Sequence, residues 1–412
     1  MPLHQCIRSL LVVPLLALLF GLAAGCSDDG SDSETALTIG ALLPLTGSLS
    51  SYGETSDAAL KIAADTINGG LGQVSLLTED TKTDPATALE KLQSLHARGA
   101  RLVIGPYASS EVAAVKEYAD KNGIVLISPL STARSLAVPD DNVFRFTPDD
   151  DKEGAAVAAL AWADGVRVIV PVSRNDEGNL GLQNAMRASF EKLGGKVLPG
   201  ITYPALETDF TEEMATLTQS VASAKASAGA TVAVYLTAFS EVTKLFGAAA
   251  ASADLKTVKW YGSDSVALSK ELVADKTAAA FAVAAGYPNP ILGLSDGDKA
   301  RWAPVQEQLT NQLGRQPDAF ALAAYDALVV GYDALAKAGA DSDVATLKKE
   351  FTSMANGLAG LTGSLKLNAA GDRDIAIYDF WAVCQRGTTY TWIRAASYVA
   401  LGTGQISRPE QC

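Results

Sequence analysis

Histidine is almost missing from this chain, which has two histidines, His4 and His96, among its 412 residues. His96 falls in a predicted helix that is remote from any nucleophile motif. The sequence also contains no Walker-type loop, no dinucleotide-binding fingerprint, no G-x-S-x-G elbow and no H-E-x-x-H string. These absences disfavour an enzyme. The sequence also has no cluster of metal-ligating residues, and we expect no metal or cofactor.

Positive charge is scarce as well. The 33 Lys and Arg residues are outnumbered by 46 Asp and Glu residues, and the formal net charge is −13. Nucleic acids are bound mainly through clustered Lys and Arg, and no such cluster occurs, so nucleic acid is excluded as a partner. Hydrophobic residues make up 48% of the chain, a globular composition. The length exceeds one domain of roughly 100 to 200 residues, which predicts two lobes.

The N-terminus has an apolar run that is too short for a permanent membrane span. This run, residues 10–19, is interrupted by Pro14, whereas a spanning helix needs about 20 apolar residues. Arg8 precedes the run and small residues follow it, a pattern typical of a cleavable export signal. No later apolar segment is apparent, which disfavours a membrane-spanning sensory receptor.

The string Leu22-Ala-Ala-Gly-Cys26 resembles a bacterial lipobox. The resemblance implies cleavage before Cys26 and acylation of that cysteine, with two or three acyl chains that anchor stably. An ordinary secretory signal with a coincidental cysteine is the alternative. We expect residues 1–25 to be a lipoprotein signal peptide, residues 26–36 to be a flexible tether, and the protein to be extracytoplasmic and lipid-anchored to a bacterial membrane.

Cysteine is sparse, with four in all. Cys6 lies in the signal and Cys26 is the lipidation site, which leaves Cys384 and Cys412 as one pair. An oxidising compartment permits these two to form a disulfide that holds the C-terminal tail. Two unpaired thiols are the alternative, because sequence does not show the Cα separation that a bridge requires.

From Ala36 onwards, short β-branched runs alternate with amphipathic helical stretches, which predicts parallel sheets with crossover helices. The predicted strands are residues 37–43, 74–77, 102–104, 125–127, 167–170, 232–236, 258–261, 281–284 and 375–383. The predicted helices include residues 53–67, 85–98, 111–121, 151–163, 240–251 and 268–273, and the stretch 296–358 is largely helical. The fold class is therefore α/β, with two doubly wound lobes. Ligands of such sheets bind outside the carboxyl ends of the strands, so the strand-to-helix loops are the place to look for function.

Hydroxyl groups and glycines fill three of these loops in the first lobe. The loop after the first strand carries Tyr52, the next carries Ser109 and Ser110 before a helix, and the third carries Ser131 and Thr132. A helix start binds anions, including carboxylates, through its free amides and dipole. The alternatives are a solvated serine-rich turn and a serine that only caps the helix.

In the second lobe, Asp264 follows a strand as a lone carboxylate, and Phe239 follows another as an apolar wall. A buried aspartate needs a partner, and the ammonium group of a ligand is one. Asp264 as a turn or cap residue and Phe239 as ordinary core are the alternatives.

Taken together, four segments resemble the leucine/isoleucine/valine-binding protein family of ABC transporter receptors, the type I periplasmic solute-binding proteins. The segments are Ile39-Gly-Ala-Leu-Leu-Pro-Leu-Thr-Gly-Ser-Leu-Ser-Ser-Tyr-Gly53, Val103-Ile-Gly-Pro-Tyr-Ala-Ser-Ser110, Ile127-Ser-Pro-Leu-Ser-Thr132 and Val143-Phe-Arg-Phe-Thr-Pro148. The likeness extends from about Leu37 to Tyr390. It implies two Rossmann-like lobes joined by three crossings, with lobe 1 formed by residues 37–147 plus 286–374 and lobe 2 by residues 148–285 plus 375–412.

The resemblance also implies roles for individual residues. Ser109, Leu130 and Thr132 hold the carboxylate and ammonium of an amino acid. Tyr52 covers the ligand, Asp264 stands in place of the usual glutamate at the ammonium, and Phe239 stands where a tyrosine is common. The full set of candidate ligand contacts is Tyr52, Ser109, Ser110, Leu130, Ser131, Thr132, Phe239, Asp264 and Tyr325. For Tyr325, a place in a helix core is the alternative.

One departure from the family concerns the loop Arg174-Asn-Asp-Glu-Gly178, where many members have Tyr-Gly. An aromatic wall is missing there, which argues against a purely aliphatic ligand. Asn175 and Glu177 contact a polar side chain of the ligand or, alternatively, belong to a solvated loop.

The implied function is a monomeric receptor that captures an amino acid or similar small polar solute by hinge closure and delivers it to ABC permease subunits. A lipoprotein of the same fold that regulates a cell-wall synthase or another envelope protein is the alternative. The hydroxyl-rich loops and Asp264 favour solute capture.

Overall fold

The computed structural model describes residues 36–228, 231–375, 377–400 and 404–412. The signal peptide, the lipidation site Cys26 and nearly all of the tether lie outside the described residues, so these remain predictions. Residues 36–412 form one compact unit.

The first half of this unit is built on a five-stranded parallel sheet. Its strands are β1 (Leu37–Leu43), β2 (Val74–Asp80), β3 (Leu102–Ile104), β4 (Val125–Ser128) and β5 (Val143–Arg145), in the order β2-β1-β3-β4-β5. The crossover helices are α1 (Ser50–Asn68), α2 (Pro85–Ala97) and α3 (Ser109–Asn122). Strands β3, β4 and β5 are buried along their whole length. That burial explains the continuous apolar sequence of β3, because helices cover both faces of a parallel sheet.

A second parallel sheet follows after residue 149. Its strands are β6 (Val166–Asn175), β7 (Lys196–Val197), β8 (Ile201–Pro204), β9 (Thr231–Thr237) and β10 (Lys259–Tyr261), in the order β10-β9-β6-β7 with β8 also paired to β6. Its helices are α4 (Asp150–Ala163), α5 (Glu177–Lys192), α6 (Thr211–Ala228), α7 (Val242–Ala249), α8 (Ala253–Lys256), α9 (Lys270–Ala274) and α10 (Lys276–Ala285). The predicted pair of doubly wound sheets is confirmed.

The chain then adds three helices and six short or long strands, four of which form an antiparallel sheet. The helices are α11 (Lys299–Leu313), α12 (Ala319–Ala338) and α13 (Val344–Gly357), and the strands are β11 (Asn289–Leu292), β12 (Ala359–Gly360), β13 (Gly363–Ser364), β14 (Ile377–Arg386), β15 (Thr389–Val399) and β16 (Gln405–Ser407). Helices α12 and α13 pack on the first sheet, whereas β14 and β15 pack beside α4 on the second. The lobe boundaries at residues 147, 286 and 375 stay predictions.

The strand expected at residues 281–284 is wrong, because these residues lie in α10. Asp275 caps that helix by accepting hydrogen bonds from the Thr277 and Ala278 amides, and Gly286 ends it in the left-handed conformation. The alanine-rich run between these two signals favours a helix. The predicted closing strand at residues 375–383 corresponds to β14, and its hairpin partner β15 was not foreseen.

Helix α12 also corrects the expectation that no apolar segment follows the N-terminus. It is long and apolar enough to cross a membrane, but 78% of its apolar stretch is buried inside the fold. It is therefore a core helix, and its composition reflects contacts with the first sheet.

Cys384 and Cys412 form a disulfide with a Cα separation of 5.3 Å. Cys384 lies in β14 and is almost fully buried. The bond therefore attaches the end of the chain to the antiparallel sheet.

Candidate ligand-binding cleft

The carboxyl ends of the two parallel sheets face each other across a narrow cleft. A cavity there is lined from the first sheet by Ala108, Ser109, Leu130 and Thr132, and from the second by Gly178, Asn179, Leu182, Phe239 and Ser265. Its volume is about 10 Å³, which is room for roughly one water molecule. The two halves are thus closely apposed.

A network of hydroxyl groups forms the wall on the first sheet. The Ser109 and Ser131 Oγ atoms are 3.0 Å apart, and Ser109 Oγ accepts a hydrogen bond from the Ala133 amide at 3.2 Å. Helix α3 begins after Ala108, whose side chain cannot cap it, so neither Ser109 nor Ser110 is the N-cap. The Ser109 hydroxyl is thereby held at the cleft, beside the positive end of the helix dipole.

A buried arginine supports this wall from behind. Arg145 in β5 donates to the Ala133 carbonyl at 2.6 Å and forms two hydrogen bonds to the Asp372 carboxylate, at 2.5 and 2.8 Å. Both side chains of the ion pair are essentially inaccessible to solvent. The bidentate pair therefore holds the loop after β4 in place, and its charges cancel locally.

The wall on the second sheet combines an aromatic ring with an amide. Phe239 lies beneath the Arg174 guanidinium, which is 4.7 Å from the ring centre. Arg174 pairs with Asp176 at 2.6 Å and with Glu241 at 3.3 Å. Asp176 caps α5 and accepts hydrogen bonds from both the main-chain and side-chain amides of Asn179. The segment that departs from the family is therefore well structured, and it brings Asn179 to the cleft.

Asp264 lies directly behind this wall and is 2% exposed. Its Oδ1 atom accepts a hydrogen bond from the Ser265 hydroxyl at 2.8 Å, and its main-chain amide donates to Glu153 Oε1 at 3.1 Å. Within the described chain, Asp264 Oδ2 has no hydrogen-bond partner. Burial raises the pKa of Asp264 to about 6, against the effect of its hydrogen bonds with Ser265.

Two further buried acids lie close to Asp264, on the first turn of α4. Burial raises the pKa of Asp150 to about 7, with the nearby Asp264 charge adding to the rise. Burial also raises the pKa of Glu153 well above its ordinary value, with Asp264 and Asp150 contributing. The pKa values of Tyr235 and Tyr378 are raised first by burial and then by Glu153, which places both phenols near these acids. The three carboxyl groups thus share one buried region.

Tyr52 spans the two halves of the protein. Its hydroxyl lies 3.1 Å from the Asp264 carbonyl and 2.8 Å from the Ala267 carbonyl, and its ring packs edge-on against Phe320. Nearby, the Lys270 ammonium contacts Glu54 at 2.7 Å. Tyr52 does not line the cavity; it joins α1 to the loop after β10.

Three other candidates do not line the cavity, and one of them, Ser131, contacts it only through Ser109. Ser110 is the second residue of α3, is partly exposed and is not part of the cavity lining. Tyr325 packs from the middle of α12 against the apolar contact between α1 and α11. Its helical position directs it into that contact, as the alternative had it.

Asn175 and Glu177 lie on the outer side of the cleft. They border a groove of about 1090 Å³ between α4 and α5. Glu177 accepts a hydrogen bond from Ser135 of the first half. The groove is open and follows the surfaces of α4 and α5, and several of its lining side chains are charged. We place the site in the smaller cleft, because ligands of parallel α/β sheets bind outside the carboxyl ends of the strands.

The sequence reasoning missed Asn179, Ser265, Asp150 and Glu153. A readable signal existed for the last two. Asp150 and Glu153 are three residues apart at the start of an alanine-rich helix, a spacing that puts both on one helix face. Asn179 follows the Asp176 cap, but its exposure to the cleft depends on how the two halves meet.

Comparison with known proteins identifies the family. A sequence profile of the periplasmic binding protein family matches residues 36–383. The chain belongs to this family. Its members are extracytoplasmic solute-binding receptors rather than enzymes. The likeness to leucine/isoleucine/valine-binding proteins expected from the four loop segments is confirmed at this level.

Individual relatives are distant. An uncharacterized protein of Methanocaldococcus jannaschii is 29% identical over 403 residues, covering 90% of this chain and 94% of that protein. The Leu/Ile/Val-binding protein BraC3 of Rhizobium johnstonii is 29% identical over 165 residues, 38% of this chain and 45% of that protein.

Solved structures share the fold. A leucine-binding protein of Thermotoga maritima has a TM-score of 0.73 at 21% identity, covering 91% of this chain and 99% of that chain. A solute-binding protein of R. palustris in complex with benzoate has a TM-score of 0.71 at 22% identity, covering 87% of this chain and 96% of that chain. Similar folds therefore accompany chemically different ligands.

Proposed function

We propose that this protein is the solute receptor of an ABC importer and that it captures an amino acid, or a similar small polar solute with an ammonium group, between its two lobes. One observation carries the proposal. A hydroxyl cluster on the first sheet faces a buried aspartate, one hydrogen bond behind the cavity lining, on the second. Hydroxyls at a helix N-terminus suit a carboxylate, and an incompletely paired buried carboxylate suits an ammonium.

Each candidate residue then has a role. Ser109, Ser131 and Thr132 bind the carboxylate, Leu130 and Phe239 contact the apolar part of the solute, and Asp264 pairs with its ammonium. Tyr52 stabilises the closed arrangement, since its hydroxyl contacts the loop that carries Asp264. Binding in the cleft favours the closed arrangement, because only there does one solute touch both walls.

Delivery follows from the closed shape. A permease that recognises the closed arrangement receives only loaded receptors. Acylation at Cys26 keeps a monomeric receptor at the membrane surface, and acyl anchoring of this kind is stable when two or more chains are attached. Names of relatives such as the leucine-binding protein of Thermotoga maritima support an amino acid as the solute.

The test is to identify what the protein carries. The full-length protein is purified without added ligand and denatured, and the released small molecules are identified by mass spectrometry. Calorimetry with a panel of amino acids then measures their affinities. A released amino acid that rebinds at micromolar or lower Kd supports the proposal. No released solute and no heat with any panel member contradicts it, and capture of a cell-wall synthase in a pull-down favours the regulatory lipoprotein instead.

A further inference from the structure

Several buried acceptor groups at and behind the cleft have no hydrogen-bond partner within the described chain. Asp264 Oδ2, both carboxylate oxygens of Asp150 and the Asn179 side-chain oxygen are buried and lack a hydrogen-bond partner within the described chain. Buried acceptors without donors are costly, and a structure retains them mainly where something else supplies the donor. Asn179 lines the cavity, and Asp264 lies next to the lining residue Ser265. Asp150 lies behind Thr132 and borders the outer groove.

Asn179 is the uncharged member of this set. It is 1% exposed and lines the cavity. Its Nδ2 group donates to both oxygens of Asp176 at 3.0 Å, so the amide is held with its oxygen unmatched. Held in this way, the Asn179 amide leaves its oxygen available as a hydrogen-bond acceptor at the cleft. A solute group that donates hydrogen bonds matches this acceptor.

The two neighbouring arginines do not pair with these acceptors. Arg145 is fully engaged with Asp372 and the Ala133 carbonyl, and Arg174 is engaged with Asp176 and Glu241. Each of these arginines is neutralised where it lies. Asp264, with a pKa of about 6, is ionised at pH 7.5, and no salt bridge pairs it within the described chain. It therefore leaves a negative charge beside the cleft.

We infer that the solute of this site is rich in donors and carries a net positive charge, as a basic amino acid does, rather than being aliphatic or anionic. This inference rests on the proposed function and names the class of solute for the same cleft. The α-ammonium pairs with Asp264. A second cationic group reaches the acceptors that remain, Asn179 among them. An anion without an ammonium, such as the benzoate of the R. palustris protein, leaves the Asp264 carboxylate unpaired and is repelled by its charge.

The test compares solutes that differ in charge. Calorimetry at pH 7.5 on the purified full-length protein measures Kd for L-lysine, L-leucine, L-glutamate and benzoate. We expect lysine to bind at least tenfold more tightly than leucine, and glutamate and benzoate to bind too weakly to detect. Leucine binding as tightly as lysine overturns the inference and leaves the proposed function standing. If none of the four solutes nor any other amino acid binds, the proposed function itself fails.

A matched pair of variants tests the role of Asn179. Asn179→Leu removes the unmatched acceptor, and we expect it to weaken lysine at least tenfold with little change for leucine. Asn184→Leu, on the same helix but exposed, leaves both affinities unchanged. An equal loss for lysine and leucine in Asn179→Leu assigns Asn179 a structural role only and removes it from the inference. If Asn179→Leu does not fold, the comparison of lysine with leucine on the natural protein still tests the inference.

Discussion

The Tyr52 hydroxyl and the Asp264 main-chain carbonyl lie 3.1 Å apart across the two halves of the protein. This hydroxyl has a second acceptor in the Ala267 carbonyl at 2.8 Å. The contact joins a helix of the first sheet to the loop that carries the candidate ammonium partner. It is available only when the two halves are close together, so it stabilises the closed arrangement.

Replacing this hydroxyl therefore weakens solute binding. Tyr52→Phe removes one buried hydrogen bond, worth about 1 kcal/mol. We expect affinity to fall roughly fivefold in calorimetry, with the ring packing on Phe320 retained. As a control, Tyr118→Phe removes a hydroxyl that contacts His96 Nδ1 at 3.0 Å within the first half. That variant lowers stability without altering affinity, and the same result for Tyr52→Phe would show that the Tyr52 bond serves folding alone.

Asp264→Asn keeps the size of the side chain and removes its charge. Loss of one partner from a buried charge pair typically costs about 2 kcal/mol or more, which is roughly a thirtyfold loss in affinity. Because a buried charge is also removed, the free energy of unfolding without solute at pH 7.5 stays equal or rises. Calorimetry and thermal unfolding measure the two effects. Asp254→Asn, at a half-exposed ion pair with Lys225, is the control, and an unchanged Kd in Asp264→Asn would exclude Asp264 from the site.

Gly178 permits the close approach of the two walls. A Cβ atom added there would lie 3.3 Å from Ser109 Oγ, so one wall would press directly on the other. We expect Gly178→Val to hold the lobes apart and weaken binding at least tenfold, with small-angle scattering showing a larger radius of gyration in saturating solute. Gly247→Val is the control, because a Cβ atom at Gly247 has no neighbour within 4 Å. Full compaction of Gly178→Val with solute would contradict this role.

The buried acids make stability and binding depend on pH in opposite directions. The pKa values of Asp264 and Asp150 are raised to about 6 and about 7, and that of Glu153 is also raised well above its ordinary value. The folded protein therefore retains protons that the unfolded chain releases above about pH 4. Without solute, the free energy of unfolding falls as pH rises from 5 to 8, by about 1.4 kcal/mol per pH unit for each retained proton.

Affinity for an ammonium-bearing solute should instead rise over the same range, because its partner carboxylates must be ionised. Denaturant unfolding and calorimetry at pH 5, 6, 7 and 8 measure the two trends. Asp264→Asn should reduce the pH dependence of both the free energy of unfolding and the affinity. Parallel trends, or no trend in either, would show that these carboxyl groups do not face the solute.

The disulfide attaches the C-terminal tail to the antiparallel sheet. Cys384 and Cys412 enclose 28 residues of sequence separation, and closing a loop of that size stabilises a fold by at most about 3 to 4 kcal/mol. We expect Cys384→Ala/Cys412→Ala to lower Tm and to speed amide exchange in β16, with solute affinity unchanged. Peptide mapping without reductant should recover the two cysteines in one linked peptide. Recovery as free thiols would contradict the bond.

Much of the fold was predictable from local sequence. The buried strands β1, β3 and β4 are short apolar runs next to loops rich in glycine and hydroxyl groups, and this pattern is typical of parallel sheets. The same reasoning failed at residues 281–284, where apolar residues suit a strand or a helix equally. There the Asp275 cap and Gly286 decide for a helix.

By itself, the sequence determined the fold class, the family resemblance and the loops in which to look for ligand contacts, because parallel α/β sheets bind ligands at the loops that follow their strands. It did not determine which side chains of those loops share a cavity. Only the tertiary structure brought Asn179, Asp150 and Glu153 beside Asp264 and turned Tyr52 into a contact between halves. The reason is physical: burial, unmatched acceptors and shifted pKa values arise from the packing of segments distant along the chain, and no local pattern encodes that packing.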